Sequence, residues 1–567
     1  MSASWTTLPP EFLGDVRPDA AADHTINELL DGIAAAAHGE SYLAWTRYQA
    51  AWQLYERLVL GREHTDGFIQ DGFADCAARV AKTLALPRYK AEAILTTSIS
   101  LHEMPHVADC LRDGIITDAN AQLIASRTDL VGEATFNNPT RTPDQPADPN
   151  TGPDTPETDP TPTPDPTSDA DPTSDPAPTP ERSPADIVAD LIADVSTDIA
   201  AALRGKPGTW SRTRLRDMVD RIIFRHDPDS VRERRQRALD NRGMWTEDRQ
   251  NGTSELSTVT STENAKIMAA AIRTLADTAC KKDGRNRQQR SSDAHFAIIT
   301  RTPFECQCGT DDCPADIPDP DTLPTVTSKV IIHVVCDEAT LDGTAANAAY
   351  LDGHGVISDE HLRDLAARPD AVITPLVPQG TPMNPDGTFT LPTHRPSDPY
   401  RPSTALDTFI RVRDAYCTDP GCERSAWNAD IDHVAEYNHD DPETGGQTTP
   451  DNLNSKCRPD HLLKTYGDWV DDQYRDQSGR LRTEYITPEG HVIPGEAETM
   501  EDFFPGLRRI RFSAPATAPP HRTTRSRPEP LDNPTRRRTR LANKHARRSA
   551  ERHRNHKRRH SGEPPPF

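Results

Sequence analysis

The stretch from Cys417 to Lys464 constrains this chain more than any other part of it. It reads CTDPGC and, after seven further residues, DIDHVAEYNHDDPETGGQTTPDNLNSKCRPDHLLK. Nowhere else does the sequence combine cysteines, an Asp-His pair, an asparagine and a further histidine at such spacings. Both a local fold and a chemical site are therefore expected here.

The dipeptide Asp432-His433 follows apolar residues that alternate with polar ones, which predicts the end of a short strand. A Gly-Gly pair at 445–446 predicts a turn into a second short polar strand. From about Asp451 the residues favour a helix. That helix would carry Cys457, His461 and Lys464. The order strand, strand, helix would allow Asp432, His433 and His461 to converge.

A carboxylate and an imidazole on separate elements can hold one divalent cation while leaving coordination positions open to water. A neighbouring imidazole that stays off the metal can take a proton from an attacking water molecule. Phosphodiester hydrolysis needs both functions, because charge must be stabilised at the phosphate and the nucleophile must be activated.

The order of these residues resembles the HNH (ββα-metal) endonuclease family. That resemblance covers about 60 to 80 residues and implies a small α+β nuclease domain that hydrolyses DNA. The pattern that carries it is Asp432-His433, then Asn452-Leu453, then Cys457 followed by His461 and Lys464.

By that resemblance, His433 would be the general base. Asp432 and His461 would ligate the catalytic metal, Mg²⁺ or Mn²⁺. Asn452 would hold the loop and the orientation of the catalytic histidine. Two lysines would contact phosphates: Lys456 and Lys464.

The cysteines of the stretch form a second layer. Cys417 and Cys422 have the spacing C-x4-C, and Cys457 lies three residues before Asp460. In HNH proteins of this type, a cysteine pair with a later C-x2-C or C-x2-H commonly binds a structural Zn²⁺. Asp460 stands where Cys or His would be usual, and carboxylate is a less common ligand in closed zinc sites. The sequence leaves open whether Asp460 completes such a site.

Two other classes of function remain open at this stage. A degenerate HNH scaffold could serve as a DNA-binding or mobile-element accessory protein without catalysis. The unusual residue Asp460 is consistent with that hypothesis. A nuclease effector delivered between cells is the third reading, although the start MSASWTTLPPEFLGD has no secretory pattern.

Composition supports a multidomain protein with nucleic acid as partner. Only 34% of the 567 residues are hydrophobic and 52 are proline, so much of the chain must be linker or tail. The net charge of −23 hides a basic tail, because residues 521–560 contain 15 Lys and Arg against 3 Asp and Glu. Such asymmetry suits contact with the DNA backbone. Clustered cysteine pairs in a large chain without a membrane span predict that the protein is located in a reducing cytoplasm. The sequence leaves open whether it forms a homodimer.

The expected fold class is multidomain, with a mainly α N-terminal region containing some β structure, a small ββα-metal domain, and a long disordered linker and tail. Residues 139–184 carry fifteen prolines and ten acidic residues and cannot form a core. The expected divisions are a helical domain in two parts (1–137 and 185–377), an acidic Pro-rich linker (138–184), a Pro-rich connector (378–400), the HNH domain (401–480), a short β extension (481–513) and a disordered basic tail (514–567).

Within the second helical part, three closely spaced cysteines suggest a metal knuckle, with Cys336 or His333 as possible completion. They lie in CQCGTDDC: Cys306, Cys308 and Cys313. Free thiols are the alternative. The segments KVIIHVV (329–335) and DAVITPLV (370–377) predict some β structure.

Residues 20 to about 377 resemble the helical domain of unknown function number 222 that occurs in many actinobacterial proteins, often before a C-terminal HNH nuclease. The segments RNRQQRSSDA and ATLDGTAANAAYLDGHGVIS carry this resemblance. It implies no activity for the helical domain.

Overall fold

The computed structural model describes residues 25–60, 72–132, 183–206, 208–249, 253–318, 331–369, 371–395, 398–439, 441–513 and 540–561. The chain divides into two compact units, one running to Ser230 and one beginning at Val231. This division falls inside the second helical part, 185–377, which was expected to be continuous. Residues 138–182 of the expected linker and 514–539 of the expected tail lie outside the described residues.

The described part of the first unit is helical, as expected from its periodicity. A capping box starts the first helix, because Thr25 accepts from the Glu28 amide and the Glu28 carboxylate accepts from the Thr25 amide. The helices are α1 (Ile26–Tyr55, extended by a π-helical turn over Glu56–Leu60), α2 (Gly72–Leu84), α3 (Arg88–Glu103), α4 (Pro105–Arg112), α5 (Asp118–Thr128), α6 (Pro184–Gly205), α7 (Arg212–His226) and α8 (Pro228–Asp240), which crosses the division.

Aromatic residues at helical spacing on α1 contribute to the packing of this unit. Tyr48 is 1% exposed and donates to Asp118 at 2.5 Å. Trp52 stacks on His102 with ring centroids 3.7 Å apart. The break before α5 needs Gly114, whose φ is +70° and whose added Cβ would lie 2.8 Å from a ring nitrogen of His38.

The second unit begins with small sheets and short helices. Its first elements after α8 are β1 (Gly243–Asp248), β2 (Ser254–Val259), α9 (Thr262–Ala276), α10 (Arg287–Thr300), β3 (Val334–Val335), α11 (Glu338–Leu341), β4 (Ala349–Leu351), β5 (Gly355–Ile357), α12 (Asp359–Ala366), β6 (Phe389–Leu391), β7 (His394–Arg395), β8 (Asp398–Pro402) and α13 (Thr404–Asp414).

The strand bounds differ from the expected ones in this region. Within 331–335, the described part of the segment 329–335, the strand is Val334–Val335, which pairs with β4 in the sheet β3–β4–β5. Residues 371–377 contain no strand. The Pro-rich connector 378–400 instead contains β6 and β7, and β8 begins within it. Local composition could not show this, because β6 pairs in parallel with a strand more than 100 residues later, Ile510–Phe512.

Two side chains join α12 to the start of α9. Buried His361 lies 2.7 Å from Glu263, measured from Nε2 to Oε1. The Glu263 pKa is lowered to about 2, mainly by this hydrogen bond. The pair is therefore a hydrogen bond within the second unit that favours the ionised form of Glu263.

The Cys417–Lys464 stretch folds as two antiparallel strands and a helix. The remaining elements are β9 (Asp430–His433), β10 (Leu453–Lys456), α14 (Arg458–Tyr466), β11 (Val470–Arg475), β12 (Leu481–Ile486), β13 (Val492–Pro494), α15 (Met500–Phe503), β14 (Ile510–Phe512) and α16 (Arg540–Ser561). In the β9–β10 pair, Asp432 lies opposite Asn454 and His433 opposite Leu453.

The expected starts of the second strand and of the helix were wrong. The second strand does not follow the Gly-Gly pair at 445–446; it begins at Leu453, and the helix begins at Arg458 with Cys457 as its N-cap. The glycines allow close chain approach instead, because a Cβ on Gly446 would overlap the Ala435 carbonyl.

The basic tail, 514–567, was expected to be disordered, and its described part corrects that expectation. Residues 540–561 form α16, and its polar stripe contacts carboxylates of the β9–β13 region. These partners lie about 75 to 120 residues earlier in the chain, so the composition of the tail alone could not indicate a docked helix.

Candidate active site

His461 and Asp432 face each other across α14 and β9. The His461 Nε2 atom lies 3.5 Å from Asp432 Oδ1. On the other side of the ring, Nδ1 lies 2.7 Å from Asp430 Oδ2. The His461 contact lowers the pKa of Asp430, so this carboxylate is ionised and accepts the Nδ1 proton. In the neutral ring, Nε2 would then carry the lone pair and face Asp432, the arrangement that a metal-ligating histidine needs.

His433 is buried at the end of β9. Its ring stacks on Tyr400, with centroids 5.1 Å apart and an interplanar angle of 12°. Its Nε2 atom lies 3.1 Å from the hydroxyl of Thr448, which itself donates to the Pro399 carbonyl at 2.7 Å. Because a hydroxyl has one proton, Thr448 accepts from Nε2–H, and Nδ1 of His433 is left unprotonated. Burial lowers the pKa of His433 to about 4, which keeps the ring neutral at pH 7.

Asn452 joins the segments on either side of the long loop between β9 and β10. Its Oδ1 accepts from the Ala435 amide at 2.8 Å, and its Nδ2 donates to the Ala435 and Gln447 carbonyls at 3.0 and 2.9 Å. Three hydrogen bonds from one side chain hold the backbone just after His433.

The two lysines expected to contact phosphates are buried. Lys456 is 1% exposed and lies 2.6 Å from Asp419 and 3.0 Å from Asp471. Lys464 is 4% exposed, and its Nζ lies 2.5 Å from Asp432 Oδ2 and 2.6 Å from the His433 carbonyl. The expectation of phosphate contact is corrected here, since both ammonium groups are enclosed by carboxylates.

These lysines form a buried chain of charges that ends at the site. Asp471 lies 3.0 Å from Lys456 and 3.5 Å from Lys464, so it joins the Asp419 end to the Asp432 end. Burial opposes its ionisation, but the two lysines lower the Asp471 pKa to about 2. Lys464 holds Oδ2 of Asp432 and leaves Oδ1 facing His461.

The cysteines at 417, 422 and 457 converge with Asp460. One ligand atom of each residue lies within 4.8 Å of every other, so the group could hold a metal ion such as zinc. Asp460 Oδ2 lies 2.7 Å from Cys457 Sγ and 3.4 Å from Cys417 Sγ. Since Cys457 caps α14 and Asp460 lies in its first turn, a metal here would fix the start of the helix that carries His461.

The three cysteines of CQCGTDDC also converge, but their fourth partner is Cys280. The expected completions were wrong. Cys336 packs instead in the apolar cluster of β3, β4 and α12. His333 stacks on Trp427, with ring centroids 3.6 Å apart.

Helix α16 packs on the segment that follows His433. Arg552 donates to the Val434 carbonyl at 2.6 Å and pairs with Glu436 at 3.1 Å. Arg548, 5% exposed, lies 2.5 Å from Glu436 and also donates to the Lys464 carbonyl. Further along, Arg559 pairs with Asp472 at 2.7 Å. Arginines of this helix therefore support the loop beside the candidate base.

Sequence reasoning missed three residues of this site. Asp430 had a visible signal, because D-x-D on a strand puts Asp430 and Asp432 on the same face. Asp471 and Thr448 had none, since each reaches the site through tertiary packing.

Residues 188–414 match the family described as Domain of unknown function (DUF222), so the chain carries a DUF222 domain there. This confirms the expected resemblance in part: the match begins at residue 188 and not near residue 20, it extends beyond residue 377, and it ends before Cys417. The assignment of the Cys417–Lys464 stretch therefore depends on the site itself.

Among curated proteins, the chain is similar to uncharacterized proteins of Mycobacterium tuberculosis. It is 26% identical to uncharacterized protein Rv3776 over 539 residues, which are 91% of this chain and 87% of that protein. It is 30% identical to uncharacterized protein Rv2100 over 385 residues, 62% of this chain and 66% of that protein. No solved structure gives a significant match. Within the described residues, the helices are too short or too polar to span a membrane.

Proposed function

We propose that this protein is a metal-dependent HNH endonuclease that hydrolyses DNA phosphodiester bonds. The observation that carries the proposal is the approach of His461 Nε2 to Asp432 Oδ1 at 3.5 Å, with buried His433 next along the strand. The strand–strand–helix order of β9, β10 and α14 supports the same assignment.

The donor set fits a hard-to-borderline divalent ion, because one carboxylate oxygen and one imidazole nitrogen face each other from separate elements. Mg²⁺ or Mn²⁺ held by Asp432 Oδ1 and His461 Nε2 would stabilise negative charge on the scissile phosphate. Asp430 keeps the proton of His461 on Nδ1, and Lys464 binds Oδ2 of Asp432, so that Oδ1 faces His461.

His433 acts as the general base in this proposal. The free lone pair on Nδ1 accepts a proton from the attacking water, while Nε2–H remains bonded to Thr448. Stacking on Tyr400 fixes the plane of the ring, and Asn452 fixes the backbone that follows it. The ring is neutral, and therefore able to accept a proton, throughout the neutral range.

DNA is the proposed substrate and partner, held largely by charge. The docked stripe of α16 leaves other basic residues exposed, including Arg554 and Lys557. Exposed basic residues on a helix that also contacts the segment after His433 suit non-specific contact with the phosphate backbone. A Zn²⁺ ion at the Cys417–Asp460 cluster would be structural, since all its ligand atoms come from the chain.

A catalytically degenerate DNA-binding protein is the second candidate. One observation favours it: among the described residues, Asp432 and His461 do not belong to a group of three or more converging metal-ligating side chains. Lys464 also neutralises Asp432.

Supercoiled plasmid incubated with purified protein separates the two candidates. Nicking with Mg²⁺ or Mn²⁺ that excess EDTA abolishes would support the nuclease. A mobility shift of the same plasmid without cleavage under either metal would favour the binding protein.

A further inference from the structure

We propose that Cys280, Cys306, Cys308 and Cys313 form a structural zinc site inside the DUF222 domain. All four sulfur atoms lie within 4.8 Å of one another, and the Cys280 and Cys306 sulfurs are 3.6 Å apart. Four sulfurs around one zinc, with Zn–S bonds of ~2.3 Å, lie about 3.8 Å from each other. The thiols are unbonded cysteines, and a disulfide would need an S–S distance of about 2.05 Å.

A metal at these ligands would join the segment after α10 to the end of α9. Cys280 follows the end of α9, whereas the other three lie in the segment after α10. That segment, 301–318, contains no helix or strand. Its Phe304 and Ile317 nevertheless pack on the α9–α10 pair, within a cluster that has only five buried members. So small a core gives little stability by itself, and a metal is a common additional cross-link in such cases.

Hydrogen bonds hold the backbone next to the proposed ligands in place. Asp283, three residues after Cys280, accepts from the amide of Gln307 at 2.9 Å. Arg285 bonds Asp283 at 2.8 Å and the Glu305 carbonyl at 2.7 Å. These bonds fix the backbone on both sides of Cys306, as residues around metal ligands commonly do.

Four thiolate ligands are not compatible with a catalytic role for the metal. A closed tetrahedral set has no open position for water or substrate, and thiolate sulfur does not suit Mg²⁺ or Ca²⁺. The site is therefore assigned a structural Zn²⁺, and it does not depend on the nuclease proposal.

Zinc content of the full-length protein, purified under reducing conditions, tests the assignment. Cys280→Ser and Cys308→Ser should each lose one zinc per chain relative to the unaltered protein. Cys336→Ser is the matched control and should lose none, since Cys336 lies in a separate cluster. Cys422→Ser removes a ligand of the second cluster, so it separates the two sites. Unchanged zinc in both Cys280→Ser and Cys308→Ser would overturn the proposal.

A second measurement needs no variant and covers the case in which a serine variant fails to fold. In the unaltered protein, the four proposed ligands should react slowly with iodoacetamide, and removal of zinc by a chelator should make all four react faster. Protection that is equal with and without the chelator, or a disulfide among the four, would contradict a zinc site.

Discussion

His461 stands between two carboxylates, with Nδ1 2.7 Å from Asp430 Oδ2 and Nε2 3.5 Å from Asp432 Oδ1. Asp430 thereby sets which nitrogen is available to a metal, although it would not bind the metal itself. Conversion to an amide would remove the charge that holds the Nδ1 proton.

Asp430→Asn should therefore lower the nicking rate and the affinity for Mn²⁺ by roughly 10- to 100-fold. Titration of Mn²⁺ in the plasmid assay measures both. Arg458→Gln is the matched control, because Arg458 contacts the same Asp430 oxygen at 3.0 Å from an exposed position. We expect it to stay within about twofold of the unaltered protein. Equal losses in the two variants would show that Asp430 does not act through His461.

Lys464→Met should reduce stability without changing the salt dependence of DNA binding. Removal of one partner from a buried ion pair costs on the order of 3–5 kcal/mol, and Lys464 is 4% exposed. Denaturant unfolding measures the first effect, and binding to a DNA duplex across a salt series measures the second. Lys557→Met, on the exposed side of α16, should reduce the salt slope by up to about 0.9. A smaller salt dependence of DNA binding in Lys464→Met would mean that this lysine does contact phosphate.

The sequence predicted the chemical groups of the site better than its geometry. Asp432 and His461 face each other because the strand–strand–helix order places them together, with His433 next to Asp432 along β9, and their spacing in the sequence shows that order. The prediction that Lys456 and Lys464 contact phosphates was wrong. Both lysines are buried in ion pairs with Asp471, and the local sequence pattern does not specify the position of that carboxylate. Cys280 was missed for the same reason, since 25 residues separate it from Cys306.

Glu436→Gln should release α16 from the unit. Glu436 accepts from Arg548 and Arg552, and although burial opposes its ionisation, Arg552 and Lys464 lower its pKa to about 2. Loss of this charge leaves two arginines without their shared partner. Hydrogen exchange should show faster exchange across residues 544–559. Glu551→Gln is the control, since Glu551 pairs with Arg554 inside the helix. Undiminished protection in Glu436→Gln would mean that other contacts suffice to dock α16.

Glu263 should make the stability of the DUF222 domain depend on acidic pH. Its pKa is lowered from 4.5 to about 2, so the unfolded chain binds the proton first as pH falls. The contribution, on the order of 2–3 kcal/mol, is present above pH 4.5 and lost as pH falls towards 2. Denaturant unfolding of the unaltered protein and Glu263→Gln should show a gap that is larger at pH 5.5 than at pH 3.5. A gap independent of pH would contradict the lowered pKa of Glu263 and its hydrogen bond to His361.

The rate of plasmid nicking by His433→Ala tests the central claim most directly. With saturating Mg²⁺ or Mn²⁺, the unaltered protein should convert supercoiled plasmid to the nicked form, and His433→Ala should be at least roughly 100-fold slower. His106→Ala removes an exposed histidine of α4 and should cleave at the unaltered rate. DNA binding should be equal in all three proteins. If His433→Ala nicks as fast as His106→Ala, His433 is not the general base and the proposed mechanism is wrong.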